Sequence, residues 1–157
     1  MSFPHTRVDY NVFSKLAASA QAALLALGKA VDEAGLDKGL TELVKVRASQ
    51  INGCAFCLQM HLDISRKLSL DPVKLGLVAT WKDAGIFSEK EKAALAWTEA
   101  LTDLTSHGAP DELYEFVCQH FSETELVFLT VTIGTINAWN RLGVGLRFAP
   151  QIAQQGK

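Results

Sequence analysis

The sequence predicts an all-α fold: one domain over residues 1–157, built as a bundle of about seven helices. Segments rich in Ala and Leu, which favour helices, recur along the chain. Ser, Asp and Pro stand where these segments begin, and Gly residues follow several of them. The chain has no repeat and no low-complexity linker, and its length suits a single hydrophobic core.

The first three predicted helices lead to a pair of cysteines. Residues 11–33 predict one long helix that ends before Gly35. Asp37 is a suitable N-cap for the second helix, which should end at Asn52 and Gly53. The third helix then covers residues 54–68.

Four further helices follow, and each has an N-terminal signal. These signals are, in order, Asp71 with Pro72, Ser88 with Glu91, Pro110, and Ser122 with Glu125. The fourth helix should end at Gly85. The last segment contains LVFLTVTIGTI, whose β-branched residues favour a strand by themselves. Its capping box and helical neighbours favour a buried helix instead.

The charge pattern argues against two classes of partner. The 15 Lys and Arg residues nearly balance 17 Asp and Glu residues, the formal charge is −2, and neither sign forms a block. A nucleic acid or a membrane surface is therefore not an expected partner. The N-terminus lacks the pattern of a secretory signal, and no apolar run approaches the roughly 20 residues of a membrane span. We expect a cytoplasmic protein.

The apolar content predicts an oligomer. Hydrophobic residues make up 48% of the chain, and its mean hydropathy is +0.13. This is high for a helical monomer that must cover its surface with charge. We therefore expect a homo-oligomer with apolar faces buried between subunits.

The segment INGCAFCLQMH, residues 51–61, carries the strongest chemical signal. On a helix Cys54, Cys57 and His61 share one face. Cys54 would stand near the helix N-terminus, where free N–H groups favour a thiolate. The imidazole one turn beyond Cys57 can accept a thiol proton. Two cysteines at this spacing can also form and reopen a disulfide, so we interpret them as a working dithiol.

Two alternatives compete with the dithiol. The first is a zinc site whose ligands would be Cys54, Cys57 and His61, with Glu42, His107 or His120 as the fourth. The second is a pair of ordinary buried cysteines beside a core histidine. A structural zinc site usually staples a loop-rich module, and this chain has no second cysteine pair, so we expect no resident metal. We also expect no organic cofactor.

The other cysteine and the tryptophans have structural interpretations. Cys118 has no cysteine nearby in the sequence and is expected to be a small core residue. Trp81, Trp97 and Trp139 are expected in the core or in subunit contacts.

The segment ELVKVRASQINGCAFCLQMHLDISRKL, residues 42–68, resembles the core motif of the alkylhydroperoxidase AhpD-like family, within the carboxymuconolactone decarboxylase superfamily. That motif is a glutamate, eleven residues, then Cys-x-x-Cys-x-x-x-His. Glu42, Cys54, Cys57 and His61 fill each of its positions. Later segments, including EKAALAWTEALTDL, are also similar, so the resemblance covers residues 36–148.

The resemblance implies an all-helical subunit that assembles into trimers or hexamers. It implies a thiol-dependent peroxidase that reduces organic or hydrogen peroxide and receives electrons from a dithiol or lipoyl protein. In that cycle Cys57 attacks the peroxide, Cys54 closes a disulfide with it, and Glu42 supports His61 as the proton relay. The helix N-terminus would favour Cys54 as the more acidic thiol, so the order of attack stays open.

One departure from the family bears on activity. Some members have a histidine between the cysteines, where this chain has Ala55 and Phe56. A shorter relay would make the activity weaker or direct it at another substrate.

Other functions compete with the peroxidase. One is a decarboxylase-like lyase or lactone-opening enzyme of the same superfamily, in which His61 and Glu42 do acid–base work. Others are a redox sensor without catalysis and a zinc-binding oligomer. The paired thiols argue against the lyase, since proton transfer does not require them.

Overall fold

The all-α prediction is confirmed. The structure, a computed structural model, describes residues 6–106 and 108–152, and this part of the chain contains nine α-helices and no strand. The helices are α1 (Tyr10–Leu16), α2 (Ala18–Glu33), α3 (Lys38–Ile51), α4 (Ala55–Lys67), α5 (Pro72–Leu77), α6 (Trp81–Ala84), α7 (Glu89–Thr102), α8 (Asp111–Cys118) and α9 (Glu123–Leu146). A 3-10 turn, Val78–Thr80, joins α5 to α6.

Helix α3 occupies the centre of the bundle and packs against α4, α7 and α9. Its buried residues are Leu40, Thr41, Glu42, Leu43, Val44, Val46, Ala48 and Ser49. Because the helix is enclosed, its polar side chains need partners inside the protein. Glu42 and Ser49 find theirs next to the cysteine pair.

The predicted helix starts are confirmed by the caps. Asp37 accepts a hydrogen bond of 2.7 Å from the Leu40 N–H at the start of α3. Full capping boxes open α7 and α9, and their residues are Ser88 with Glu91 and Ser122 with Glu125. Each box satisfies two backbone donors that the helix itself cannot pair.

The predicted single helix over residues 11–33 is two helices. Ala17 leaves the helical conformation, with φ −120° and ψ 39°, and separates α1 from α2. The two parts pack in different places: Phe13 of α1 joins an aromatic cluster, whereas α2 packs against α9. Tertiary packing thus overrides the uniform helix propensity of the segment.

The predicted fourth helix, Pro72 to Gly85, is also divided. It consists of α5, the 3-10 turn and α6, and these separate pieces raise the helix count above seven. Gly76 and the β-branched Val78 lower the helix propensity here. The turn places both Val78 and Trp81 in the core.

The segment with strand-like composition is helical in α9. The hydroxyls of Thr130, Thr132 and Thr135 donate to the carbonyls four residues earlier, at 2.7–2.8 Å. These bonds satisfy the hydroxyls within the helix. In the described residues, no helix is both long and apolar enough to cross a membrane.

The interpretation of Cys118 as a core residue is wrong. Cys118 is exposed at the end of α8, while its neighbour Val117 is completely buried. One residue turns the side chain by roughly 100° around a helix, which is enough to move it from the core to the surface. Trp81 and Trp97 are buried, as predicted.

Candidate active site

The cysteine pair lies at the start of α4. Gly53 has φ +65°, a conformation that favours glycine, and it ends the connection from α3. Cys54 is the N-cap of α4, and its sulfur accepts a hydrogen bond of 3.4 Å from the Cys57 N–H. The two sulfurs are 2.8 Å apart and share a hydrogen bond, and both cysteines are free thiols.

The hydrogen bond between the two sulfurs shifts the pKa values of the two thiols in opposite directions. It lowers the pKa of Cys54 to about 7 against burial, with help from the Cys57 and Phe56 N–H groups and the Asn140 side chain. The same hydrogen bond, burial and the negative charge on Cys54 raise the pKa of Cys57 far above its ordinary value. The pair therefore releases its first proton near neutral pH.

A cluster of ionisable side chains, Glu42, His61 and Lys45, lies in the same site as the thiols. Oε2 of Glu42 lies 2.7 Å from Nδ1 of His61, and Oε1 lies 2.8 Å from Nζ of Lys45. Burial alone would raise the pKa of Glu42, but these two partners outweigh it and hold that pKa below its ordinary value. Because a charged carboxylate only accepts hydrogen bonds, Nδ1 of His61 carries a hydrogen, and Nε2 is the ring nitrogen that can exchange a proton with another group.

An apolar cavity of about 240 Å³ opens onto this site. Cys57, His61 and Lys45 contribute to its wall. The remaining wall is mainly hydrophobic and comes from α1, α2, α4 and α9; it includes Tyr10, Leu24, Met60, Ile64, Ile136 and Trp139. Cys54 is not part of the wall. A small molecule in the cavity would therefore meet Cys57 and not Cys54.

All four predicted site residues, Glu42, Cys54, Cys57 and His61, come together in this region. Each is less than 8% exposed. Helix α3 supplies the carboxylate and α4 supplies the other three groups, in the arrangement expected from their spacing on one face.

Sequence reasoning missed the contribution of α9. A Cβ atom at Gly143 would lie 2.6 Å from Sγ of Cys54, so glycine lets this helix touch the sulfur. Asn140, one turn earlier, is buried beside the same pair. A signal was present in the sequence NAWNRLG, where Asn137, Asn140 and Gly143 recur every three residues and so share a helix face.

The zinc alternative needed a fourth ligand besides Cys54, Cys57 and His61. In the described residues, no group of three or more His, Cys, Asp or Glu side chains is placed to hold a metal ion. His107 lies outside the described residues, and the ring of His120 packs against Phe116.

The chain matches a known family. The model of the carboxymuconolactone decarboxylase family matches residues 18–100, more than half of the chain. An uncharacterized protein YdfG of Bacillus subtilis is 34% identical over 140 residues, which cover 89% of this chain and 93% of YdfG. YnjA of Escherichia coli, also uncharacterized, is 31% identical over 102 residues, or 65% of this chain and 56% of YnjA. The chain belongs to the carboxymuconolactone decarboxylase family, as an AhpD-like member.

Solved structures agree with this assignment. ATU0492 of Agrobacterium tumefaciens has a TM-score of 0.88 and 39% identity, with 94% of this chain and 99% of that chain covered. It is a protein of unknown function for which a role as the antioxidant defence protein AhpD has been suggested. The debrominase Bmp8 has a TM-score of 0.79 and 17% identity, covering 89% of this chain and 75% of its own, and it shares the fold.

Proposed function

We propose that the protein is a thiol-dependent peroxidase that reduces organic or hydrogen peroxide through a dithiol–disulfide cycle. One observation carries the proposal: the sulfurs of Cys54 and Cys57 are 2.8 Å apart, and Cys57 borders a cavity that His61 also lines. Membership of the family and the suggested antioxidant role of ATU0492 are consistent with it.

Cys57 is proposed as the sulfur that attacks. Its side chain lines the cavity, whereas Cys54 lies against α9. The first negative charge forms on Cys54, whose pKa is about 7. Transfer of the shared proton across the 2.8 Å between the sulfurs then moves that charge to Cys57. Cys54 is thus the more acidic thiol and Cys57 is the one that faces the cavity, and the two sulfurs exchange one proton.

The proposed cycle has three steps. First, the Cys57 thiolate attacks one oxygen of the peroxide; an S–O bond forms, the O–O bond breaks, and the alkoxide leaves as an alcohol with a proton from His61. Second, the sulfur of Cys54 attacks the sulfenic acid on Cys57, so an S–S bond forms and water leaves. Third, an external dithiol supplies two electrons and two protons and restores both thiols.

Glu42 and His61 are proposed as the proton relay. The carboxylate fixes the imidazole with Nδ1–H directed at Oε2, at 2.7 Å. This leaves Nε2 to receive a thiol proton and to return it to the leaving oxygen. The negative carboxylate also compensates the positive charge of the imidazole while the ring carries that proton.

The partners follow from the same chemistry. The apolar cavity wall favours an organic peroxide over a small hydrophilic one. A protein dithiol or a lipoyl group is the proposed electron donor, because a thiolate reopens a disulfide directly by thiol–disulfide exchange. A dithiol that must be kept reduced fits a reducing compartment, so we propose the cytoplasm.

We propose further that the subunit is part of a homo-oligomer, a trimer or a hexamer. In α2, all of which is described, Val31 is the one buried side chain, yet the helix consists mainly of Ala and Leu. Leu25 is 58% exposed and Leu27 is 43% exposed. A helix that is apolar on its outer side is usually covered, and a second copy of the chain is the proposed cover.

A lyase remains the second candidate. The family name and the buried Glu42–His61 pair favour it, since this pair could move protons on a carboxylate substrate held by Lys45. Such a reaction would not need either thiol. Its activity would therefore persist when both cysteines are replaced.

The test compares three cysteine variants of the full chain. Consumption of cumene hydroperoxide with dithiothreitol or a lipoyl compound is measured for wild type, Cys57→Ser, Cys54→Ser and Cys118→Ser. The first two variants should lose turnover, while Cys118→Ser, which changes an exposed thiol, should keep it. Wild-type rates in both Cys57→Ser and Cys54→Ser would end the proposal. Mass spectrometry after a single equivalent of peroxide identifies the sulfur that is oxidised.

A further inference from the structure

Three asparagine amides form a chain from the end of α3 to the cysteine pair. Nδ2 of Asn52, the C-cap of α3, donates to Oδ1 of Asn137 and to Oδ1 of Asn140, each at 2.9 Å. Asn137 and Asn140 both belong to α9 and are 9% and 1% exposed. A buried polar network of this kind holds its side chains in one arrangement when its groups are satisfied.

The orientation of Asn137 is fixed from both ends. Its Nδ2 donates to the carbonyl of Ile133 at 2.9 Å, and a carbonyl only accepts hydrogen bonds. Its Oδ1 accepts from Nη1 of Arg141 at 3.2 Å, and a guanidinium only donates. The amide of Asn137 cannot be reversed without breaking both bonds.

This orientation passes to Asn140. Because Oδ1 of Asn137 is an acceptor, Asn52 must present its NH₂ group, and the same NH₂ group occupies Oδ1 of Asn140. Asn140 therefore keeps its own NH₂ group for the opposite side. One of its two hydrogens goes to Oγ of Ser49 at 3.1 Å, which leaves one for another acceptor.

The cysteine pair lies against the same face of α9 and is the candidate for that acceptor. Gly143, one turn from Asn140 on the same face of α9, is so close that a Cβ atom there would lie 2.6 Å from Sγ of Cys54 and 3.4 Å from Sγ of Cys57. A hydrogen bond from the Asn140 side chain lowers the pKa of each thiol. The only group that Asn140 can offer in this orientation is N–H.

We propose that Asn140 is a thiolate-stabilising residue, and that Asn52 and Asn137 hold its amide with the N–H end towards the sulfurs. A reversed amide would present oxygen to a negative sulfur and would repel it. The Asn140 amide could lie either way round in the same space, and the chain of amides holds it in the orientation that directs N–H at the sulfurs. The inference rests on the proposed peroxidase function only where it concerns the rate of peroxide reduction. The ionisation of the thiols can be measured without any peroxide.

The test is a titration of the thiolates in the reduced full-length protein. Thiolate absorbance at 240 nm and the rate of alkylation by iodoacetamide are followed against pH for wild type, Asn140→Ala and Asn140→Asp. Asn140→Ala should raise the midpoint by about one unit, because it removes a hydrogen bond to a charged sulfur. Asn140→Asp should raise it further, since it places a negative charge beside the thiols.

A third variant tests the orientation. Asn52→Ala leaves Asn140 in place but frees its Oδ1, so the amide can rotate and the midpoint should rise by less than in Asn140→Ala. A wild-type midpoint in Asn52→Ala would overturn the role of the amide chain. The titratable side chains on the surrounding elements, namely Tyr10, Glu42, Lys45, His61 and Arg141, are kept in every variant.

Gln59→Ala is the control. It removes an amide from α4 that bonds to Asp63 at 3.0 Å, and it should leave the midpoint unchanged. If the folded Asn140→Ala protein titrates like wild type, the proposal is wrong. If Asn140→Ala does not fold, Asn52→Ala, which leaves Asn140 in place, decides. A shifted midpoint without peroxide turnover in wild type would support Asn140 and reject the peroxidase.

Discussion

Gly143 of α9 lies directly against Cys54. A Cβ atom at position 143 would be 2.6 Å from the sulfur of Cys54 and 3.4 Å from that of Cys57. Real Cβ atoms do not approach so closely, and both sulfurs are buried, so they have little room to move. Glycine in the middle of a helix costs about 0.5–1 kcal/mol relative to alanine, and here the close approach to the sulfurs offsets that cost.

Gly143→Ala should therefore destabilise the protein by about 1–3 kcal/mol, because the added methyl group overpacks the core. Urea unfolding measures the change. Gly134→Ala in the same helix is the control, since no atom lies within 4 Å of its added Cβ. The control should gain about 0.5–1 kcal/mol from the higher helix propensity of alanine. A similar gain in Gly143→Ala would contradict the close contact.

Glu42→Gln should slow peroxide turnover by about 10- to 100-fold, because the imidazole loses the carboxylate that compensates its positive charge during proton transfer. The measurement is turnover of cumene hydroperoxide at pH 7, with folding checked by circular dichroism. Glu99→Gln is the control: it removes a carboxylate whose side chain is 17% exposed, pairs with Arg47 at 2.7 Å and is not part of the cavity wall. Equal losses in both variants would show that Glu42 acts through stability alone.

The stability of the reduced protein should depend on the cysteine pair above neutral pH. The pKa of Cys54 is lowered from 9.0 to about 7 on folding, so between these values the unfolded chain binds more protons and stability rises with pH. The pKa of Cys57 is raised, so above pH 9.0 the folded protein keeps a proton that the unfolded chain loses, and stability falls.

Urea unfolding from pH 6 to pH 10 should thus give a maximum near pH 9 that depends on the thiols. The double variant Cys54→Ser with Cys57→Ser supplies the background from all other groups. Subtracting its profile should leave the maximum. A difference profile that is flat over this range would mean that the sulfurs do not share a proton in the folded protein.

The cavity should discriminate peroxides by size. Thr135 lies in the wall, and Thr135→Leu would put a longer, wholly apolar side chain with one more non-hydrogen atom into the cavity of 240 Å³. The rate with cumene hydroperoxide should fall several-fold more than the rate with hydrogen peroxide, since only the larger molecule needs the space. Stopped-flow rates for the two peroxides give the ratio, and Thr80→Leu, at an exposed position, should leave it unchanged.

The outer side of the first two helices should control assembly. Leu16 is 81% exposed and Leu27 is 43% exposed. Lysine at both positions should lower the mass in light scattering towards that of the monomer, because a charge would have to be buried between subunits. Leu104→Lys changes a leucine that is 58% exposed elsewhere and should keep the wild-type mass. A monomeric wild type at micromolar concentration would refute the oligomer.

Much of the fold follows from local signals in the sequence. The caps at Asp37, Ser88 and Ser122 locate helix starts because they satisfy backbone groups within one turn. The break at Ala17 has no such signal: the segment favours a helix throughout, and the separate packing of α1 and α2 decides the outcome. The prediction that Cys118 lies in the core failed for a related reason. The sequence predicts the helix, but it does not show which side of that helix faces the core.

The candidate site divides in the same way. Cys54, Cys57 and His61 are close in sequence, so helical spacing alone brings them to one face. Asn140 and Gly143 are at least 79 residues away from all three, and their roles depend on how closely α9 packs against α4. A single sequence contains the regular spacing of these residues but not the distance between the two helices.

The sulfur of Cys54 has a further consequence as the N-cap of α4, where it accepts the Cys57 amide hydrogen. A thiolate at this position puts a full negative charge at the positive end of the helix, whereas a disulfide puts none there. In the proposed cycle, each turnover would therefore weaken and then restore the capping of the first turn of α4. The backbone that carries the nucleophile would thus respond to its oxidation, so the oxidised form would be the looser one for a reductant to approach.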